Sequence, residues 1–169
     1  MHHLIPLLIL ATCASSASAD EDAFVMGPVF TDYGPVANVN VTAPIPPGTA
    51  FKLSFDVSTP APTGDPNSTL VTVARFINMH TRAGIPADDI RAAVVVHGKA
   101  VKEMASERSA GAGLVAALTD QGVRIIVCGQ SAAYYDVAID DLLPGVEMAL
   151  SAMTAHALLQ QQGYTLNPF

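Results

Sequence analysis

Apolar and polar positions alternate from Phe51 to Val57. Phe51, Leu53, Phe55 and Val57 stand against Lys52, Ser54 and Asp56. A period of two predicts a strand with one buried face. A loop with three prolines follows at 58–66. Asn67 or Ser68 then caps a helix running to about Ala83. Leu70, Val73, Ala74 and Ile77 fall on one face of it. Gly84 ends it, with Pro86 beyond. Residues 92–96 are an unbroken apolar run, the pattern of a strand covered on both faces. A helical stretch is expected over about 99–107, a small-residue break over 109–113, and a short helix over 114–121 ended by Gly122. Val123 to Val127 (VRIIV) is the third strand and leads into Cys128. Residues 129–135 read as a turn and a short helix, and 140–145 as a loop. Residues 146–149 read as a fourth strand. Ser151 caps a last helix to Gln162, and 164–166 form an edge strand. That helix is apolar over most of its girth, which predicts burial, in part by another subunit. Strands alternating with helices predict an α/β fold with a mostly parallel sheet.

The two ends of the pattern differ from this core. Residues 1–19 have the features of a signal peptide: the apolar run LIPLLIL, then Ala17-Ser18-Ala19 before the acidic Asp20-Glu21-Asp22. The run is too short to span a bilayer, and no other stretch approaches transmembrane length. Periplasmic or secreted localisation is therefore the expectation. A lipoprotein anchored through Cys13 is disfavoured, because Thr12 fits poorly before a lipidated cysteine. Residues 20–50 are rich in Pro and Gly and read as an extended arm lying on a surface, its own or a neighbour's. Residues 51–169 form the α/β domain.

Charge narrows the partners. The net charge is −7, and none of it lies in residues 1–19. Nucleic acid and anionic lipid are held by Lys and Arg, so neither is expected as a partner.

Cysteine arithmetic singles out one position. Cleavage after Ala19 removes Cys13 and leaves Cys128 alone, so no internal disulfide is available. Such a thiol is buried and inert, paired between chains, or reactive. Ligand crevices in open α/β sheets lie beyond the carboxyl ends of the strands. Cys128 follows VRIIV directly and precedes a helix start, where free amides favour a thiolate. Gly129, Gln130 and Ser131 are the pocket candidates beside it. His97 holds the same topological place one strand earlier. It either shares the Cys128 proton or, more commonly for such a residue, donates to a backbone carbonyl. Tyr134, Tyr135 and Asp136 read as a solvated helix end. His80 and His156 read as core or surface histidines. No metal-ligand spacing, Walker loop, GxGxxG or GxSxG elbow is present, so neither a metal nor an organic cofactor is expected.

The segments GVRIIVCGQSAAYYDV (122–137) and LLPGVEMALSAMTAHALLQQQGYTLNPF (142–169) resemble the DsrE/DsrF-like family. VARFINMHTRAGIP (73–86) and VVVHGKAV (94–101) fit it too, and GPVFTDYGPV (27–36) is similar to exported members. The resemblance implies a three-layer α/β/α domain with a five-stranded parallel sheet. It also implies homo-oligomers, commonly trimers or hexamers. In the family's sulfur-relay members, a strand-end cysteine carries a persulfide and passes sulfane sulfur to a partner protein. Cys128 matches that cysteine, and Ser131, Ala132 and Ala133 match the small residues after it. Tyr135 and Asp136 stand in the region of the family's basic-glycine pair.

Three readings follow. The chain is a thiol sulfur carrier or sulfurtransferase, with Cys128 as nucleophile and His97 adjusting its protonation. Alternatively it is a non-catalytic oligomeric protein that binds a small ligand. In the third reading it is an interaction module acting through its Pro-rich arm.

Overall fold

Two seven-residue strands form the centre of the protein: β3 (Phe51–Val57) and β4 (Ile90–Val96). In the computed structural model, residues 23–105 and 109–169 are described. The signal peptide expected over 1–19, Cys13 included, lies outside them. Ahead of β3 stand β1 (Phe24–Val25) and β2 (Val36–Ala37), a short antiparallel pair. Then follow α1 (Ser68–Arg82), β4, a 3-10 segment (Gly98–Ala105) and α2 (Ala112–Asp120). The chain ends with β5 (Arg124–Cys128), α3 (Gly129–Tyr134), β6 (Val146–Ala149), α4 (Ala152–Gln161) and β7 (Thr165–Leu166).

The main sheet has the order β6-β5-β4-β3-β7, and all its pairings are parallel. The α/β/α fold expected from the sequence is thus present. The continuous apolar run of β4 is explained by its central position, where both faces are covered. Helix α1 starts where the side chain of Asn67 accepts from the Thr69 amide, and α4 starts where Ser151 accepts from Thr154. Each cap satisfies an amide the helix leaves free.

The two faces of the sheet are unequal. Helices α1 and α2 pack on one face with Phe55, Val57, Val94, Val96, Ile125 and Val127. On the other face, α4 sets Ala155 and Leu159 against Ala93, Val95 and Ile126. It crosses from β6 at one edge to β7 at the other. Leu159 is 1 % exposed and anchors this crossing. Truncating such a residue to Ala costs about 2–5 kcal/mol. The outer side of α4 is not covered by the described residues, and Met153 is 80 % and Leu158 49 % exposed. The expected burial of this helix therefore holds on one side only. Ala152, Ala155 and Leu159 face the sheet, and Met153 and Leu158 face outward.

Residues 23–50 lie along α1. Phe30 and Val36 are buried, and Phe30 joins the main core. Asn78 of α1 holds this segment. Its Oδ1 accepts from the Val29 and Phe30 amides, and its Nδ2 donates to the carbonyls of Phe30, Tyr33 and Gly34. No helix among the described residues is long and apolar enough to cross a membrane.

Candidate functional site

The parallel register brings the carboxyl ends of the strands to one edge. Val57 pairs with Val96, Val96 with Val127, and Cys128 with Ala149. His97 and Cys128 therefore follow paired residues on neighbouring strands, which run about 4.8 Å apart. Val95 and Ile126, two residues earlier on each strand, share the α4 face. By the same alternation, Cys128 faces the side of the sheet that α4 crosses.

Cys128 is the last residue of β5 and the N-cap of α3. It is a free thiol and 5 % exposed. Burial by itself pushes the thiol up. The nearby Ser131 hydroxyl and the backbone amides of Ser131, Ala152 and Gln130 outweigh that effect, although the Cys128 side chain makes no hydrogen bond that caps α3. Together they hold the thiol below its ordinary value of 9.0. Two helix N-termini thus meet at one sulfur, α3 through Gln130 and Ser131, and α4 through Ala152.

The three neighbours expected from sequence take different roles. Gly129 opens α3 beneath the end of β6, where a Cβ would stand 2.8 Å from the Ala149 carbonyl oxygen. Only a residue without a side chain lets the strand end approach this closely. Gln130 donates through Nε2 to the Leu150 carbonyl at 3.3 Å and braces the turn between β6 and α4. The Ser131 Oγ accepts from the Gly98 amide at 3.0 Å, which leaves its hydroxyl proton free for the sulfur. Tyr134, the last residue of α3, is 81 % exposed, and Asp136 turns the chain at φ 56°.

His97 does not donate to a backbone carbonyl through Nε2. That atom lies 2.9 Å from Asp56 Oδ2. The other oxygen, Oδ1, lies 2.8 Å from Nε2 of His156 on α4. A carboxylate only accepts, so each Nε2 carries its proton. Burial raises the Asp56 carboxyl, but hydrogen bonds from His156 and His97 and their charge hold it below its ordinary 3.8. His156 Nδ1 is buried without a partner among the described residues.

Asp56 and His156 were not legible as a pair. Asp56 reads as the polar side of a half-buried strand, and its partner comes a hundred residues later. The one available signal for His156 was its place four residues after Ala152, on the same helix face. Among the described residues, no group of three or more His, Cys, Asp or Glu is arranged to hold a metal ion.

Clefts near this edge are small. One of about 170 Å³ runs from Asp56 past Ser58 and Thr59 to the start of α1. A larger one, about 540 Å³, lies away from the cysteine, between Val39, Val41 and Ile45 and the end of α1.

Comparison with known proteins gives a consistent picture. The profile described as the DsrE/DsrF-like family matches residues 52–168. Among solved structures, the chain is similar to a protein of unknown function, MTH1491 from Methanobacterium thermoautotrophicum. The identity is 23 % and the TM-score 0.52, over 69 % of this chain and 97 % of that one. It is also similar to the ychN protein from E. coli, at 16 % identity and a TM-score of 0.49, with the same coverage of each chain. No curated protein gives a significant match.

Proposed function

Because this chain belongs to the DsrE/DsrF-like family, we propose that it carries sulfane sulfur as a persulfide on Cys128. The observation that carries this reading is the donor set at the sulfur. Amides from two helix starts and the Ser131 hydroxyl favour the thiolate, the form that attacks sulfur. The thiolate attacks the outer sulfur of a hydropersulfide, R–S–SH. A new S–S bond forms to Cys128, the donor's S–S bond breaks, and R–S⁻ leaves with the electron pair. No outside oxidant is needed. Transfer to an acceptor thiolate is the same step in reverse. In this reading His97, which follows the neighbouring strand and bonds to Asp56, adjusts the protonation of Cys128.

The same reading includes export by a cleaved signal over 1–19 and a supply of thiosulfate or polysulfide outside the cytoplasm. It also includes assembly into a trimer or hexamer. Leu150, Met153 and Leu158 are exposed apolar residues that such an assembly would cover. Mass spectrometry after treatment with polysulfide tests the sulfur step. The expected gain is about 32 Da per sulfur on Cys128, reversed by a thiol reductant. Equal labelling of a Cys128→Ser variant would overturn it.

One observation favours a second reading, a non-catalytic ligand-binding or interaction protein. Cys128 is 95 % covered, as an inert core thiol would be. Slow alkylation of the folded protein by iodoacetamide, at the rate of a buried thiol, is its expected result. Fast alkylation would sink it.

A further inference from the structure

We propose that Asp56 is a positioning residue for Cys128, because its two oxygens hold the two chain segments that carry donors to the sulfur. One oxygen accepts from His97 Nε2 at 2.9 Å. His97 directly precedes Gly98, whose amide donates to Ser131 Oγ at 3.0 Å. Ser131 in turn faces Cys128. The other oxygen accepts from His156 Nε2 at 2.8 Å. His156 lies one turn after Ala152, whose amide also faces Cys128. Asp56 itself is in β3, two strands away from Cys128.

The arrangement is more specific than a surface ion pair. Asp56 stands on the face that α4 covers, where the buried cap Ser151 and the partly buried Ala152 also hold the first turn of α4. Its buried contacts are Ala155 and Leu159, and Met153 points outward. The bond from Asp56 to His156 fixes the turn that matters for the sulfur. Gly98, at φ 56°, is the corresponding weak point on the β4 side, and the bond to His97 steadies the residue before it. The titratable groups facing this region from the surrounding elements are Asp56 on β3, His97 after β4 and His156 on α4. Arg124 and Glu147 pair with each other on the same face, with Arg124 at the opposite end of β5 from Cys128.

This inference rests on Cys128 being the reacting group, but its test does not require that Cys128 carry sulfur. The rate of Cys128 alkylation by iodoacetamide is measured against pH for the full chain and for Asp56→Asn, His97→Gln and His156→Gln. Melting temperature and circular dichroism are followed alongside. The midpoint in the Asp56→Asn protein is expected to rise by about half a pH unit, the size of a partly lost helix-end contribution. Each histidine variant should give a part of that rise. Adding His156→Gln to Asp56→Asn should raise the midpoint by less than the two single shifts combined. An unchanged midpoint in folded Asp56→Asn protein would overturn the proposal. If that variant does not fold, the two histidine variants decide in the same way. Failure of all three to fold would also overturn it, since the cluster would then be a general lock on the fold. Sulfur loading of Cys128, measured separately, reports on the carrier reading alone.

Discussion

His156 Nε2 lies 2.8 Å from Asp56 Oδ1, joining the last helix to the first long strand. A hydrogen bond of this kind depends on the ionised carboxylate. Asp56 is held below 3.8 in the folded protein, so folding favours its charged form. The stability it contributes is full above the unfolded value and is lost as pH falls through the folded one. Urea unfolding between pH 6 and pH 2.5 should therefore show a decline that begins below about pH 4. Asp56→Asn should flatten part of that decline. The same slope in both proteins would show that the pairing does not act in this way.

Gly129→Ala should destabilise the protein by about 1–3 kcal/mol, the cost of overpacking. The new methyl group would meet the Ala149 carbonyl oxygen at 2.8 Å and that of Leu150 at 3.3 Å. Neither is a flexible side-chain end, so β6 has to shift. Chemical denaturation measures the loss. A variant as stable as the parent would mean that the end of β6 is free to move.

Ser131→Ala removes one acceptor and one donor at once. The Gly98 amide loses its partner, at a cost of about 1 kcal/mol. The sulfur loses its hydroxyl, so its alkylation midpoint should move up toward 9.0. A midpoint that stays in place would remove Ser131 from the donor set.

Asn78→Ala should cost about 3 kcal/mol or more, because several buried backbone groups lose their partner together. It should also release residues 23–50 from α1. Chymotrypsin then cuts faster at Phe30 or Tyr33, which the parent protects by burial or half-burial. Unchanged cleavage would show that apolar contacts alone hold the segment.

The sequence was readable where a local pattern has one physical meaning. Phe51–Val57 alternates because one face of β3 is covered by α1, and 92–96 is continuous because β4 is central. Asn67 and Ser151 are legible as caps because capping is decided within three residues. The placement of Cys128 at a strand end followed from VRIIV in the same way. Asn78 was missed, although a polar residue beside Ile77 at the edge of an apolar helical stripe is a signal that something buried needs donors and acceptors. Asp56 gave no such signal. Its role is set by where α4 lands, and strand alternation carries no information about that. Which side of α4 meets the sheet was not legible for a related reason, since an apolar composition does not decide it.

The path of α4 has a consequence for how the sulfur site comes into being. Cys128 leaves the ribosome well before Ser151, and β7 must find its place beside β3 through pairs as distant in sequence as Leu53 and Thr165. Contacts of such long range form late in folding. Until they form, the thiol has its α3 donors but not the Ala152 amide, and Asp56 has no His156 to bind. A chain truncated within its last helix would retain the cysteine and four of the five strands, yet its thiol would lack the contribution of a docked α4. Reactivity at Cys128 thus reports in part on whether α4 has docked on the sheet.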